Sequence, residues 1–264
     1  MFNFYEKKMK KVSLFGAVFL MAVAMFTSCL GEGSNEQKGE IVGIVTTHDK
    51  TFEKVLNIGG GSYFRSSNFD NINEGACYWV YYDLNMDAEN NANANTTGYY
   101  NVTVLDRNEF ERNEVFPVLT DTAQILDSEL AILNPIYRSF GYIEDRIFFI
   151  HALNQPKEQQ NYWNLSYSSE NMMTEENGAR IYELFLRATV KSSTSNSSED
   201  QPKWCAYRIK DFFEKAAIAE KEKGKQEIQF RINYVSKIED DKITWNKTQN
   251  ISCPISLILN EKEK

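Results

Sequence analysis

Two histidines and four cysteines carry most of the reactive chemistry this chain offers. His48 lies in Thr46-Thr47-His48-Asp49-Lys50, and His151 ends an apolar run. A histidine beside a carboxylate suits general-base or metal chemistry. No GxSxG or similar nucleophile motif accompanies either one, so His48 reads as a turn residue and His151 as a core residue. The cysteines form no CxxC, CxxCH or Cys/His cluster, so no metal and no cofactor is expected. Gly59-Gly60-Gly61-Ser62 lacks the Lys-Ser/Thr of a phosphate loop and is followed by no helical pattern; it reads as a hairpin tip. Paired carboxylates hydrolyse glycosides across a cleft, but a chain with 37 acidic residues always supplies candidate pairs, so this signal decides nothing. No enzymatic activity is expected.

Two further groups suggest binding or cross-linking. Tyr78, Trp79, Tyr81, Tyr82, Tyr99 and Tyr100 crowd two neighbouring strand-like runs. Exposed aromatics on strands stack bases or sugars, so these six form a candidate ligand platform. Alternation must bury half of them, which leaves an ordinary core as the competing reading. Cys205 and Cys253 both fall in strand-like runs and form the candidate disulfide. Three buried free thiols, Cys77 included, are the alternative.

Cys29 has a different role. Lys7, Lys8, Lys10 and Lys11 precede an apolar run from Val12 to Phe26, which is too short to span a bilayer comfortably. Phe26-Thr27-Ser28-Cys29 follows, with a small residue directly before the cysteine. Residues 1–28 read as a signal peptide and Cys29 as the lipidated first residue, with Phe26 where such motifs usually carry Leu. Met9-Lys10-Lys11 offers a second possible start. More than one acyl chain is needed for stable anchoring, and a diacylglyceryl cysteine supplies it. Residues 29–40 are rich in Gly, Glu, Ser, Asn and Gln and read as a flexible leash. The partner expected at this end is therefore a membrane. Removing four Lys and one Glu with the signal carries the formal net charge from −8 to −11. An acidic chain repels phosphate backbones, so nucleic acid is excluded as a partner.

The elements that must position these residues read as strands. Ile41–Thr47, Tyr78–Tyr82, Tyr99–Leu105, Tyr142–Ala152, Tyr162–Tyr167, Ile181–Val190, Trp204–Ile209 and Gln226–Val235 are rich in β-branched and aromatic residues. Asn85–Gly98 reads as the polar loop of a long hairpin, Asp121–Asn134 as irregular, and 191–200 as a mobile loop. One helix is predicted after Asp211, whose spacing to Glu214 resembles a capping box. Phe212, Phe213, Ala216 and Ala217 form its apolar side, and Gly224 ends it. Many short strands joined by turns indicate barrels or sandwiches.

The order of these features resembles the NigD-like lipoproteins of anaerobic gut and oral bacteria. The residues that carry the resemblance are Cys29 with its acidic leash, the run Ile72 to Tyr82, Tyr99 to Leu105, Tyr142 to Ile150 after Asn134-Pro135-Ile136, and the closing Tyr207–Phe213 and Ile228–Tyr234 unit. The resemblance implies an all-β chain: an OB-like barrel over 41–137, then a β-sandwich with one short helix over 138–264. It carries no catalytic residue across. It implies an envelope lipoprotein, placed at the outer membrane with its face undetermined. The expected function is a non-catalytic binding or accessory module for an envelope protein or glycan. The alternatives are a bacteriocin-associated immunity or antagonism factor, suggested by the operon that gives the family its name, and a hydrolase with a dispersed site. Asp121-Thr122-Ala123 resembles sites that some of these anaerobes O-glycosylate, which makes Thr122 a candidate.

Overall fold

The computed structural model describes residues 35–118, 121–156, 158–193 and 199–259. The expected signal peptide and Cys29 lie outside the described residues. Six strands build the N-terminal half: β1 (Glu36–Thr47), β2 (Lys54–Gly59), β3 (Ser62–Arg65), β4 (Cys77–Asn85), β5 (Tyr100–Asn101) and the first part of β6 (Thr103–Phe116). They pair in the order β6-β4-β1-β2-β3-β5. β5 runs parallel to β3, with Phe64 opposite Tyr100, and Val102 N–H donates to the Arg65 carbonyl at 2.9 Å. From Thr103 the chain pairs instead with β4. One continuous segment thus touches both ends of the strand order and closes an OB-like barrel, leaving few free edges.

Alternation fills this barrel. Tyr78, Val80, Tyr82 and Leu84 of β4 point inward onto Val45, Leu56, Phe64 and Phe69. At Gly43 a Cβ would lie 2.6 Å from both the Asn57 carbonyl oxygen and Leu56 Cγ, so β1 and β2 meet there only because the side chain is absent. Gly59, Gly60 and Gly61 all have φ between 61° and 88° and form the expected hairpin tip between β2 and β3. The leash is shorter than its composition suggests. Residues 36–40 pair with β4, Glu36 opposite Asn85 and Lys38 opposite Asp83, and the Lys38 ammonium lies 3.3 Å from that carboxylate. Backbone pairing does not require apolar side chains, and β4 continues to Asn85 in need of a partner.

β6 joins the two halves. At roughly 3.3 Å per residue it runs about 45 Å. Its first part pairs with β4, Glu111 to Glu114 pair with β13 (Glu199–Arg208), and Val115-Phe116 pair with β10 (Gln160–Ser166). One sheet of the second half is β8 (Asn134–Ile143), β9 (Arg146–Gln155) and β13. The other contains β10, β12 (Ala179–Ser192), β14 (Glu227–Glu239) and β15 (Lys242–Lys247), with β7 (Glu129–Leu130), β11 (Met173–Glu176) and β16 (Ile251–Pro254) beside them. His151 of β9 stacks on Trp163 of β10 at 4.7 Å, so the two sheets face each other as a sandwich. A second apolar cluster, with Val42, Ile44, Cys77, Phe110, Ile143 and Phe148 at its centre, packs barrel strands against the β8-β9-β13 sheet. Residue 137, where a domain boundary is expected, lies inside β8.

Helix α1 (Lys210–Lys221) turns its predicted apolar side to the sandwich. Phe212 packs on Tyr167 at 5.0 Å and Phe213 on Phe230 at 5.2 Å. Its start differs from the capping box expected at Asp211. The N-cap is Ile209, without a side-chain cap, and Asp211 is the second helical residue. There its carboxylate still complements the positive end of the helix. Gly224, at φ 74°, follows the helix as predicted.

Candidate functional site

An open cleft of about 360 Å³ lies at the end of the barrel where three connections converge. The β1–β2 turn supplies Glu53. β3 and the turn after it supply Arg65, Ser67 and Asn68. The β4–β5 loop and the strand that follows supply Asn90, Asn101 and Thr103. In OB barrels the loops between the first two and the last two strands flank the ligand-binding face.

The cleft walls are held by hydrogen bonds. Asn91 is 5% exposed, and its amide donates to the carbonyls of Asn85 at 2.8 Å and Asn101 at 3.0 Å. Asn101 returns its backbone N–H to Asn91 Oδ1 at 2.6 Å and its side-chain amide to the Asn90 carbonyl at 2.7 Å. The asparagine run that reads as a plain polar loop is therefore pinned to β5. Across the cleft, Arg65 lies between two carboxylates, 3.4 Å from Glu53 and 2.8 Å from Asp70. Tyr99 donates its hydroxyl to Glu53. That bond, with Arg65 adding to it, holds the Glu53 carboxyl below its ordinary range despite partial desolvation. The same bond raises the Tyr99 phenol.

The open wall is different. The Ser67 hydroxyl, the Asn90 amide and the Thr103 hydroxyl make no hydrogen bond with other described residues. The cleft therefore presents several neutral donors and acceptors around an arginine that is already paired with two carboxylates. Arg65, Glu53, Asn68 and Thr103 carry no motif in the sequence. Only the density of asparagines near residue 90 hints at the site.

The predicted aromatic platform does not assemble. Tyr78, Tyr82 and Tyr99 are buried, at 9%, 6% and 8% exposure. Tyr100 packs against the barrel core. Trp79 faces outward but lies against Trp204 of β13 at 5.7 Å and donates to Glu40 at 3.2 Å. Trp79, Tyr81 and Tyr100 are all half-buried, and with Trp79 and Tyr100 packed in this way Tyr81 has no open ring beside it. The alternation of β4 and the sheet laid over its outer face consume the rest.

The predicted disulfide is also absent. Cys205 lies in β13 and Cys253 in β16, in different sheets, and Cys77, Cys205 and Cys253 are all buried free thiols. Burial pushes Cys77 up to about 11, Cys253 up to about 12 and Cys205 well above its ordinary value, which removes thiolate chemistry. His48 is 6% exposed and packs edge-on to Tyr63 and Tyr99. His151 is fully buried between the sheets. Thr122 is half-buried in a turn, and its carbonyl accepts the Trp245 indole N–H at 2.8 Å.

Known proteins share the fold and, in part, the sequence pattern. Residues 33–108 match the model of the lipoprotein OB domain. No curated protein matches the chain. An uncharacterized protein of Parabacteroides merdae shares the fold at a TM-score of 0.71 and 21% identity, over 82% of this chain and 99% of that one. A candidate lipoprotein of Bacteroides fragilis shares it at 0.53 and 13%, over 81% and 97%. A candidate toxin-related protein of Parabacteroides distasonis shares it at 0.52 and 10%, over 85% and 97%. The chain thus joins an OB-like barrel to a β-sandwich, a fold it shares with these proteins, and its residues 33–108 are similar to the lipoprotein OB domain.

Proposed function

We propose that this protein is a non-catalytic binding module held at the cell envelope by lipid on Cys29, and that the barrel-end cleft is its ligand seat. The observation that carries this reading is the cleft itself. Its walls are locked by buried amide bonds, while its open face keeps hydrogen-bonding groups free for a partner, a protein or a glycan. Sealed histidines and thiols raised by burial favour binding over catalysis. No helix among the described residues is long and apolar enough to cross a membrane; attachment through lipid is supported by the match of residues 33–108 to the lipoprotein OB domain. The outer membrane is the proposed location. The immunity or antagonism reading has a neighbour of like fold that is described as toxin-related, but identity of 10% carries fold alone.

Thr103 is exposed on β6 and lines the cleft, so a Thr103→Trp variant fills the site from a position that tolerates a large strand residue. Incubated with envelope extract, the wild-type chain is expected to retain a ligand that Thr103→Trp loses while melting at the same temperature. Equal retention by both proteins would remove the cleft as the seat.

The attachment and Thr122 proposals share one measurement. Intact mass of the protein purified from its own envelope is expected to exceed the chain from Cys29 by a lipid and by a glycan on Thr122. A mass of sequence plus lipid eliminates the glycan, and a mass of the unmodified sequence eliminates both.

A further inference from the structure

Phe52 is the most exposed large apolar side chain among the described residues, at 80%, and its backbone sits at φ 58°. The left-handed region is unfavourable for a bulky residue. The other non-glycine residues there are Ser128, Glu144, Asn177, Asp240 and Asp241, all polar. The turn enforces this conformation: Phe52 N–H donates to the His48 carbonyl at 2.8 Å, and His48 N–H to the Glu53 carbonyl at 2.9 Å. His48 is anchored in turn by its two tyrosine contacts and by Thr51 Oγ1 at 3.3 Å from Nδ1. A buried imidazole thus holds an aromatic ring in solvent, one residue from Glu53 of the cleft wall. Strain maintained in this way marks functional positions more often than structural ones.

Building on the binding reading above, we infer that the cleft takes a neutral, hydroxyl-rich ligand, an oligosaccharide, and that Phe52 stacks on the apolar face of one of its rings. Three observations favour this class. The groups left open on the wall are amides and hydroxyls, which match vicinal hydroxyls as both donors and acceptors. Arg65, the cation of the cleft wall, is already paired with both Glu53 and Asp70, so an anionic ligand gains no unopposed partner there. A cleft of about 360 Å³ suits one or two sugar rings, and its polar wall does not suit an apolar ligand. An aromatic face strengthens the hold on a sugar ring, and Phe52, next in the chain to Glu53 of the wall and open to solvent, offers one where the expected tyrosines do not.

The test is an array of neutral and uronate-bearing oligosaccharides, followed by calorimetric titration of the full chain in detergent with any that bind. Phe52→Gly is the informative variant, because glycine accepts the φ of this position and the fold is retained. A neutral oligosaccharide is expected to bind wild type, to be lost with Thr103→Trp, and to weaken about tenfold with Phe52→Gly at an undiminished melting temperature. Unchanged affinity in Phe52→Gly overturns the stacking role while the cleft stands. Binding confined to uronate-bearing sugars overturns the ligand class, again leaving the cleft. Absence of any glycan, with a protein captured in a Thr103-dependent manner, overturns this inference but not the binding module. Loss of Thr103 dependence for every ligand overturns both.

Discussion

Replacing Arg187 by alanine is expected to destabilise the fold by about 3–5 kcal/mol, the range for removing one partner of a buried ion pair. Arg187 projects from β12 and is 2% exposed. Its Nε and Nη2 donate to the two oxygens of Glu129 at 2.5 and 2.7 Å, its Nη1 to the Asp121 carbonyl at 3.2 Å, and Nη2 also to the Gln124 carbonyl. The Trp245 ring lies 5.6 Å from the guanidinium carbon. The segment from Asp121 to Leu130 is thus held to the β12 sheet by Arg187, which adds to the β7–β12 pairing and to the Trp245–Thr122 bond. Truncation leaves the fully buried Glu129 carboxylate facing no cation and takes the Arg187 donor from the Gln124 carbonyl, while the Asp121 carbonyl keeps only the Gln124 N–H at 3.2 Å.

Three results follow for equilibrium unfolding in urea. Arg187→Ala shows the large loss, and Arg187→Lys recovers little of it, because an ammonium cannot reproduce the fork. Arg187→Leu combined with Glu129→Leu is less damaged than the sum of its single changes, because no charge is left stranded. Limited proteolysis of Arg187→Ala is expected to cut first between Asp121 and Leu130. A loss within about 0.5 kcal/mol of wild type, as for an exposed pair, would contradict this account.

The second large effect is on pH dependence. His151 is fully buried, with Nδ1 against the Pro135 carbonyl, Nε2 2.9 Å from the Tyr207 hydroxyl and its ring stacked on Trp163. This arrangement suits the neutral ring: Nδ1–H donates to the carbonyl and Nε2 accepts from the phenol. Burial pushes His151 down to about 4, and burial also keeps the Tyr207 phenol protonated far above neutrality. The unfolded chain titrates near the ordinary value of ~6.5. As pH falls below that value, the unfolded state binds the proton before the folded state can. The stability from this group is therefore complete above about pH 6.5 and is lost progressively down to about pH 4, by roughly 3 kcal/mol in total.

The carboxylates Glu53, Glu176 and Glu183 are held below their ordinary range by hydrogen bonds and arginines, Glu183 against its desolvation. Their contribution is present above the ordinary carboxylate range and is lost at lower pH, as they protonate in the folded state. Glu111 is raised by desolvation and acts in the opposite sense as pH falls, so the comparison with His151→Gln, not the interval alone, isolates the histidine. Urea unfolding at pH 7.5 and pH 5 is expected to show a much smaller difference in His151→Gln than in wild type, because glutamine keeps an acceptor and a donor without titrating. The same pH difference in both proteins would remove His151 as its source.

The main features of the fold and the family resemblance were legible in the sequence, because they depend on local order. The alternation of Ile228, Phe230 and Ile232 marks β14, the spacing of Phe212, Phe213, Ala216 and Ala217 marks the helix, and three consecutive glycines mark a hairpin tip. Each signal sits within a few residues, where φ/ψ preference and side-chain period act directly. The barrel and the sandwich follow from how many such strands there are.

Which face of each strand is covered was not legible, and most errors about the site come from there. β4 carries aromatics on both sides, so its pattern cannot tell that Tyr78 and Tyr82 fill the barrel while Trp79 meets Trp204 of a strand more than a hundred residues away. Glu183, Arg187 and Arg231 are charges within β12 and β14, yet all are buried, and their partners come from outside these strands or across the sheet. The cleft is assembled from residues between Glu53 and Thr103 only when β5 closes on β3. Local physics determined the strands, the helix and the turns. Barrel closure, the packing of one sheet over another and the strap under Arg187 decided which side chains meet, because those pairings are set by long-range burial.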